Sequence, residues 1–284
     1  MTIRQGLDEA ASKATKQLGD STGLVADFLY SQINQDGGFR GRSSDSDLYY
    51  TMFGIEALST LGAEIPYDHI CHYLRNFYSD SSMDFVHLCC LARCLSYVFS
   101  DDIDGALVDS IKIGVDRYFA ENRSAYGCFL ALGAYQDLGL SISNPRGVVS
   151  CLDLLKTPDG GYTNERGISA GSVPATAAAI SVLHYLGEKV SDETVQWLLK
   201  CCSPEGGFFA MPKAPVADLL STATAIHALS LAGAGIANLQ EQCLDFVDTL
   251  WDGKGGFCSS IVDRTCDCEY TFYGLLALGH LSEK

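Results

Sequence analysis

Three aspartates recur at one spacing. Asp47, Asp218 and Asp267 each stand four residues before a threonine (Thr51, Thr222, Thr271), and Ser172 keeps the same offset before Thr176. Asp84 takes the equivalent place in another segment, followed three residues later by His87. Short side chains carrying an acceptor oxygen suit a helix start, because they satisfy backbone N–H groups that have no partner in the first turn. That need accounts for the recurrence by itself. A chemical role is open to the same residues, since a carboxyl group buried beside apolar surface holds its proton to higher pH and can serve as an acid or base. Asp218, Asp267 and Glu269 are the candidates, with Tyr270 and His87 as proton handlers. His184 and His227 fall inside apolar helical runs and read as core or surface residues.

The elements that would position these groups follow a phrase written four times. Gln35-Asp36-Gly37-Gly38-Phe39, Pro158-Asp159-Gly160-Gly161-Tyr162, Pro204-Glu205-Gly206-Gly207-Phe208 and Gly253-Lys254-Gly255-Gly256-Phe257 each place an aromatic after two glycines. A polar loop follows each, then a threonine opening a small and apolar run, as in Thr222-Ala223-Thr224-Ala225-Ile226-His227-Ala228-Leu229. A period of roughly 50 residues marks a repeat architecture. Helical spacing of Ile3, Leu7, Ala10, Ala11, Ala14 and Leu18 predicts a leading amphipathic helix over 3–18. Six helical hairpins follow at about 23–62, 66–99, 104–139, 145–187, 191–233 and 239–281. Gly62 and Gly139 are placed to end their helices as C-caps. A repeat cannot bury its apolar face alone, so stacked repeats that close on themselves are expected to form one all-α domain over 1–284, two concentric helical layers around a cavity.

Equivalent positions in a closed ring share one rim, so the recurring acids should surround one mouth of that cavity. Arg40, Arg42, Arg166, Lys213 and Arg264 sit in the loops leading to the same rim and are expected to pair with the acids. Tyr49, Tyr50, Phe53, Phe85, Tyr126, Tyr270, Phe272 and Tyr273 cluster near the starts of the inner helices. Core packing explains many of them. An aromatic-lined pocket for a long apolar or cationic ligand is the functional reading.

Bulk properties narrow the class. The chain has 284 residues, 47% of them hydrophobic, and a net charge of −16. Such an acidic balance speaks against general affinity for nucleic acid or anionic membrane. No apolar stretch is long enough for a membrane span, and the first residues have no signal-like apolar core, so a cytoplasmic protein is expected. Twelve cysteines occur without a CxxC pair. In a reducing compartment they read as small apolar side chains, with Cys266 and Cys268 exposed.

At the Gly-Gly-aromatic repeats the chain resembles the prenyltransferase/squalene-oxidase repeat superfamily, which includes the protein prenyltransferase β subunits and the class II terpene cyclases. The resemblance covers nearly the whole chain, is nearest to the β subunits, and implies an α6–α6 barrel (an α/α toroid) with its ligand in the central cavity. In the prenyltransferases it also implies a zinc site, with an Asp-x-Cys opening the fifth inner helix and a His just before the threonine of the sixth. Here Asp218 is kept, but Leu220 holds the Cys position and Tyr270 the His position. Leucine cannot donate to zinc, so zinc is not expected; a rebuilt site on Asp218, Cys268 and Glu269 is the alternative. The family's diphosphate cradle is reduced to Lys213, with Ser221 at its Tyr position. The cyclases carry an Asp-x-Asp-Asp-Thr acid motif, weakly matched by Asp45-Ser46-Asp47-Leu48-Tyr49-Tyr50-Thr51. Asp101-Asp102-Ile103-Asp104 resembles an acidic metal-binding motif and reads as helix capping.

Three readings result. One is a zinc-independent enzyme on an isoprenoid or similar apolar substrate, prenyltransferase- or cyclase-like. Its substrate contacts are Tyr49, Tyr50, Phe53, Phe85, Tyr126, Phe272, Lys213 and Arg166. The others are a non-catalytic toroid binding an isoprenoid or a protein partner, and a divergent prenyltransferase β-like subunit. Elemental analysis with native mass spectrometry separates them. The expected result is no stoichiometric zinc; one zinc per chain returns the protein to the transferases.

Overall fold

The computed structural model describes residues 1–80, 82–99, 103–121 and 123–282. The chain begins with α1 (Ile3–Ser12) and the short α2 (Thr15–Leu18), then α3 (Thr22–Ser31), α4 (Leu48–Thr60), α5 (Tyr67–Leu74), α6 (Phe85–Val98), α7 (Gly105–Glu121) and α8 (Ala125–Asp137). It continues with α9 (Pro145–Asp153), α10 (Val173–Tyr185), α11 (Asp192–Lys200), α12 (Leu219–Leu231), α13 (Gln240–Thr249) and α14 (Cys268–Leu281). From α4 onward the even-numbered helices are almost wholly buried and pack in order, α4 on α6, then α8, α10, α12 and α14, and α14 packs on α4. This is a closed ring. The odd-numbered helices α3 to α13 lie outside it, each against one or two inner helices. Helix α1 touches α4, α8 and α14 at once, so it lies across one end.

The Gly-Gly-aromatic phrase has a physical explanation. Gly37 has φ +92°, and a Cβ there would meet the carbonyl oxygen of His69 in α5 at 2.0 Å. The same clash arises at Gly206 with Gln242 of α13. The first glycine thus lets the turn dock on the backbone of the next outer helix, an approach open only to a residue without Cβ. The second glycine receives an aromatic ring from that helix: Tyr73 on Gly38, Trp197 on Gly161, Phe246 on Gly207. The last turn completes the circle, since Gly255 docks on Leu24 of α3 and Gly256 takes Phe28.

The aromatic itself is buried, and its N–H donates to the threonine of its own inner helix. Phe39 N–H reaches Thr51 Oγ1 at 2.9 Å, Tyr162 reaches Thr176 at 2.8 Å, Phe208 reaches Thr222 at 2.9 Å and Phe257 reaches Thr271 at 3.3 Å. In three of these units the hydroxyl also donates to the aspartate carbonyl one turn back, at 2.7 Å. Each aspartate in turn caps its helix, Asp47 accepting from Tyr49 N–H and Asp267 from Tyr270 N–H.

Several expectations need correction in detail. The leading helix breaks after Ser12, where the backbone bonds of Lys13 and Ala14 shift to the third residue back and Thr15 Oγ1 bonds the Ser12 carbonyl at 2.9 Å. Between the loops, β1 (Phe208–Phe209) pairs antiparallel with β2 (Ala217–Asp218), a small exception to a mostly helical chain. Cys268 is fully buried as the first residue of α14, not exposed. Gly62 and Gly139 do end α4 and α8 with positive φ. Asp104 caps α7 through Leu107 N–H, while Asp101 and Asp102 lie outside the described residues.

Replacing Thr51 by Val keeps the shape and removes the hydroxyl, leaving Phe39 N–H buried and unpaired. Urea unfolding should show a loss of about 1–3 kcal/mol at unchanged slope, and Thr51→Ser less than half of it. Equal losses in both variants would make the methyl group, not the hydroxyl, the source of stability.

Candidate functional site

A cavity of about 370 Å³ opens inside the ring, lined by residues of all six inner helices together with Leu7 of α1 and Asn164. The lining follows helical register, with second, fifth or sixth, and ninth residues sharing one face. The second residues form the mouth: Tyr49, Tyr126, Pro174, Leu220 and Glu269. The fifth and sixth give a mostly apolar middle tier that includes Met52, Phe53, Cys89, Phe129, Ala177 and Tyr273. The ninth form a floor of Glu56, Arg93, Ser181, His227 and Leu276. Seven residues at 1.5 Å each put about 10 Å between mouth and floor.

At the mouth, Glu269 is the acid that faces the cavity. Burial pushes its carboxyl up to about 7, and Tyr49 Oη–H donates to Glu269 Oε1 at 2.7 Å, pulling the other way. The neutral acid is therefore well populated near neutral pH. The ring of Tyr49 meets Phe53 edge-on at 5.0 Å, and Phe53 packs against Phe272 and Tyr273. The carboxyl thus borders a wall of π faces, which favours a cation in the middle tier.

The floor is charged, so the cavity is not the aromatic-lined pocket throughout that the sequence suggests. Arg93 of α6 donates through Nη1 to Glu56 Oε1 at 2.5 Å and through Nε to Asp137. Gly133 makes room for it, since a Cβ there would stand 3.1 Å from Arg93 Nη2. Burial raises Glu56 to about 7 despite Arg93. Arg4 of α1 adds a second cation on Asp137 at 3.3 Å, and Asp8 accepts from Tyr97 O–H, so an ion pair and a hydrogen bond fasten α1 over this end.

The other sequence candidates lie around the cavity. Asp218 caps α12, accepting from Ser221 N–H at 2.7 Å and Oγ–H at 2.9 Å. Asp267 is fully buried, caps α14 and accepts from Arg42 Nε at 3.3 Å. Arg42 also reaches Asp263 at 2.7 Å, joining the first rim loop to the last, and lies 5.6 Å over the ring of Tyr270. Burial lifts the Tyr270 phenol to about 12. His87 sits between Asp84 (2.9 Å) and Asp47 (3.6 Å); burial opposes its charge, but these acids outweigh it and raise its pKa. None of these four lines the cavity. Of the aromatics, Tyr49, Phe53, Tyr126, Phe272 and Tyr273 line it. Phe85 instead stacks on Tyr118 of α7 with centroids 4.1 Å apart, and Tyr50 packs over Gly41. Lys213, with φ +72°, and Arg166 stand exposed on the loops, away from the cavity lining. The expected pairing of rim bases with acids holds for Arg42, whereas Arg40 and Arg264 bond backbone carbonyls, Ser31 O and Thr249 O.

A zinc centre of the prenyltransferase kind does not fit these residues. Leu220 presents carbon to the cavity, Asp218 is engaged by Ser221, and Cys268 is sealed in the core with burial holding its thiol protonated. Among the described residues no group of three or more His, Cys, Asp and Glu side chains could hold a metal.

A sequence model of the prenyltransferase alpha-alpha toroid domain matches residues 7–97 and 115–283. The chain belongs to that family. Three solved structures of the type II terpene cyclase MstE from Scytonema share this toroid fold. An Asp-to-Asn variant in complex with geranylgeranyl dihydroxybenzoate matches with TM-score 0.62 at 12% identity, covering 95% of this chain and 97% of that one. An apo Tyr-to-Phe variant gives 0.62 at 13% identity over 95% and 97%, and the apo enzyme 0.59 at 13% over 94% and 97%. No curated protein sequence matches the chain significantly. No helix of the toroid, among the described residues, is long and apolar enough to cross a membrane.

Sequence reasoning passed over Glu56, Arg93 and Asp137, and read His227 as a core or surface residue, whereas it lines the cavity. The signal was there: each of the first two is a lone charge at the ninth position of an otherwise apolar inner helix. It also sought the cyclase acid motif at 45–51. Asp45 is exposed and Asp47 caps α4, whereas Asp267-Cys268-Glu269-Tyr270-Thr271 keeps the spacing and sends Glu269 into the cavity.

Glu269 holds its proton more tightly folded (about 7) than at the ordinary value of 4.5. Its contribution to stability is full below about pH 4.5 and is lost as pH rises through 7. Between pH 5 and pH 8 the wild type should therefore lose about 1–3 kcal/mol relative to Glu269→Gln, read from urea unfolding at both pH values. Parallel profiles would mean that Glu269 is ionised and solvated.

Proposed function

We propose that this chain is a zinc-independent, cyclase-like enzyme that protonates a carbon–carbon double bond of an isoprenoid substrate, with Glu269 as the acid. In this reading the chain is a single domain over 1–284, an α6–α6 barrel of six hairpin repeats. The observation that carries it is Glu269, a carboxyl that burial pushes up to about 7 and that borders an aromatic chamber. The proton passes from Glu269 to one alkene carbon, the π pair becomes the new C–H bond, and the neighbouring carbon becomes cationic. Tyr49 O–H then stabilises the carboxylate, and Phe53, Phe272 and Tyr273 offer π faces to the cation. A second double bond of the same chain attacking that carbon gives a ring.

The lining also bears on the head group. Arg93 is the cation of the cavity wall among the described residues, and Glu56 and Asp137 already hold it. A diphosphate finds no cradle there, and the transferase β-subunit reading loses its head-group site together with its zinc. The cyclase of similar fold binds a prenyl chain carried on dihydroxybenzoate, which supports a substrate without diphosphate. A second reading, a binding toroid, draws support from Ile168, Met211, Ile261 and Val262, exposed on the loops that follow the Gly-Gly-aromatic turns.

The test is incubation with geranylgeraniol and geranylgeranyl dihydroxybenzoate in D₂O, followed by mass spectrometry. Products one deuterium heavier are expected from the wild type, with rates about 100-fold or more lower for Glu269→Gln. Retention of a probe without deuteration favours the binding toroid. Undiminished deuteration by Glu269→Gln removes Glu269 as the acid.

A further inference from the structure

His227 is the ninth residue of α12 and faces the cavity floor at 5% exposure. Its Nδ1 lies 2.9 Å from Nε2 of His280 on α14, the two rings 5.1 Å apart and tilted by 57°. Its own Nε2 is buried and has no hydrogen-bond partner. A buried polar atom left unpaired forfeits its hydration without compensation, so this nitrogen is a place where a ligand atom gains by arriving. A neutral imidazole has one donor and one acceptor nitrogen, and the hydrogen bond made by one decides the state of the other.

We propose that Nε2 of His227 is the proton acceptor that ends the reaction, its lone pair turned to the cavity by donation of Nδ1–H to His280. The proposal rests on Glu269 starting that reaction. The step balances without an added reactant. A C–H bond beside the cationic carbon breaks, its electron pair becomes the new double bond, and the proton joins His227 Nε2. The imidazolium so formed is stabilised through Nδ1–H by His280, which can take that proton onto its own Nε2.

Two physical points support the assignment. Burial, with the fields of His280 and His184, lowers His227 to about 3, so the ring stays neutral and ready at neutral pH. Weak basicity is no obstacle, because a C–H beside a carbocation is a far stronger acid than imidazolium. Acid and base also occupy opposite tiers, about 10 Å apart along the helices, so they do not neutralise each other. Environments that push two groups in opposite directions assign them opposite proton roles, Glu269 as donor and His227 as acceptor. The aromatic middle tier then bridges the distance over which charge migrates along a bound prenyl chain.

The experiment has two arms. Ring ¹⁵N NMR of the histidine-labelled wild type reads the tautomer without turnover: a lone pair at His227 Nε2 is expected, shifting when N,N-dimethylgeranylgeranylamine, as its ammonium ion, is added. A proton on Nε2 in the free protein overturns the proposal. In the second arm His227→Gln is incubated with the same two prenyl probes in D₂O. Deuterium should still be incorporated, while the ratio of alkene to water-captured alcohol falls about tenfold or more. An unchanged product ratio overturns the proposal. If the wild type deuterates neither probe while NMR shows the lone pair and the amine shift, the Glu269 reading fails and the acceptor site at the floor stands.

Discussion

Everything in this molecule depends on a turn that approaches a neighbouring helix too closely for any side chain. Where Gly37, Gly206 and Gly255 meet the carbonyls of His69, Gln242 and Leu24, the backbone itself is the contact surface. Where the phrase occurs, that contact sets the distance to the next hairpin, and the following aromatic and threonine tie the turn to its own inner helix. Inner helices held at that spacing must carry small residues where they touch, which is why Ala, Gly, Ser and Thr are so frequent along them. The same constraint leaves a space at the centre that their side chains only partly fill.

The units were legible because this constraint is written in residue types. Two glycines, an aromatic and a threonine at fixed spacing have one physical use here, and Gly62 and Gly139 mark helix ends by a conformation that other residues avoid. Site residues were less legible, since facing inward or outward is a matter of a single position. Phe85 opens its helix as the first residue and turns to Tyr118, while Tyr49, Tyr126 and Glu269 stand one residue further along and turn inward. The regularly spaced aspartates cap their helices, which is what such spacing serves. Glu56 and Arg93 lay in apolar runs, where a pairing across two helices cannot be seen from either one.

The cavity separates three environments that would be incompatible at one level. Its mouth has a carboxyl whose proton burial holds to higher pH; its middle is aromatic and small; its floor pairs Arg93 with two acids and leaves a histidine nitrogen open. Helix register alone produces this layering, because residues spaced by three or four share a face and seven residues span the chamber. Charge on the floor has a structural use as well, since Asp137 and Tyr97 hold Arg4 and Asp8 of α1.

The closing contacts carry a consequence for assembly. Arg42 and Asp267 are 225 residues apart in sequence, and Gly255 meets Leu24 across a comparable stretch. Contacts at such separation form late, after the loop entropy of nearly the whole chain has been overcome. Helix α14, which carries Glu269, Phe272 and Tyr273 on the cavity wall, is one side of that closing contact. Until the two ends meet, the hairpins are an open row whose inner faces see solvent, with neither an enclosed chamber nor a dry acid. The circle and its enclosed chamber come into being together.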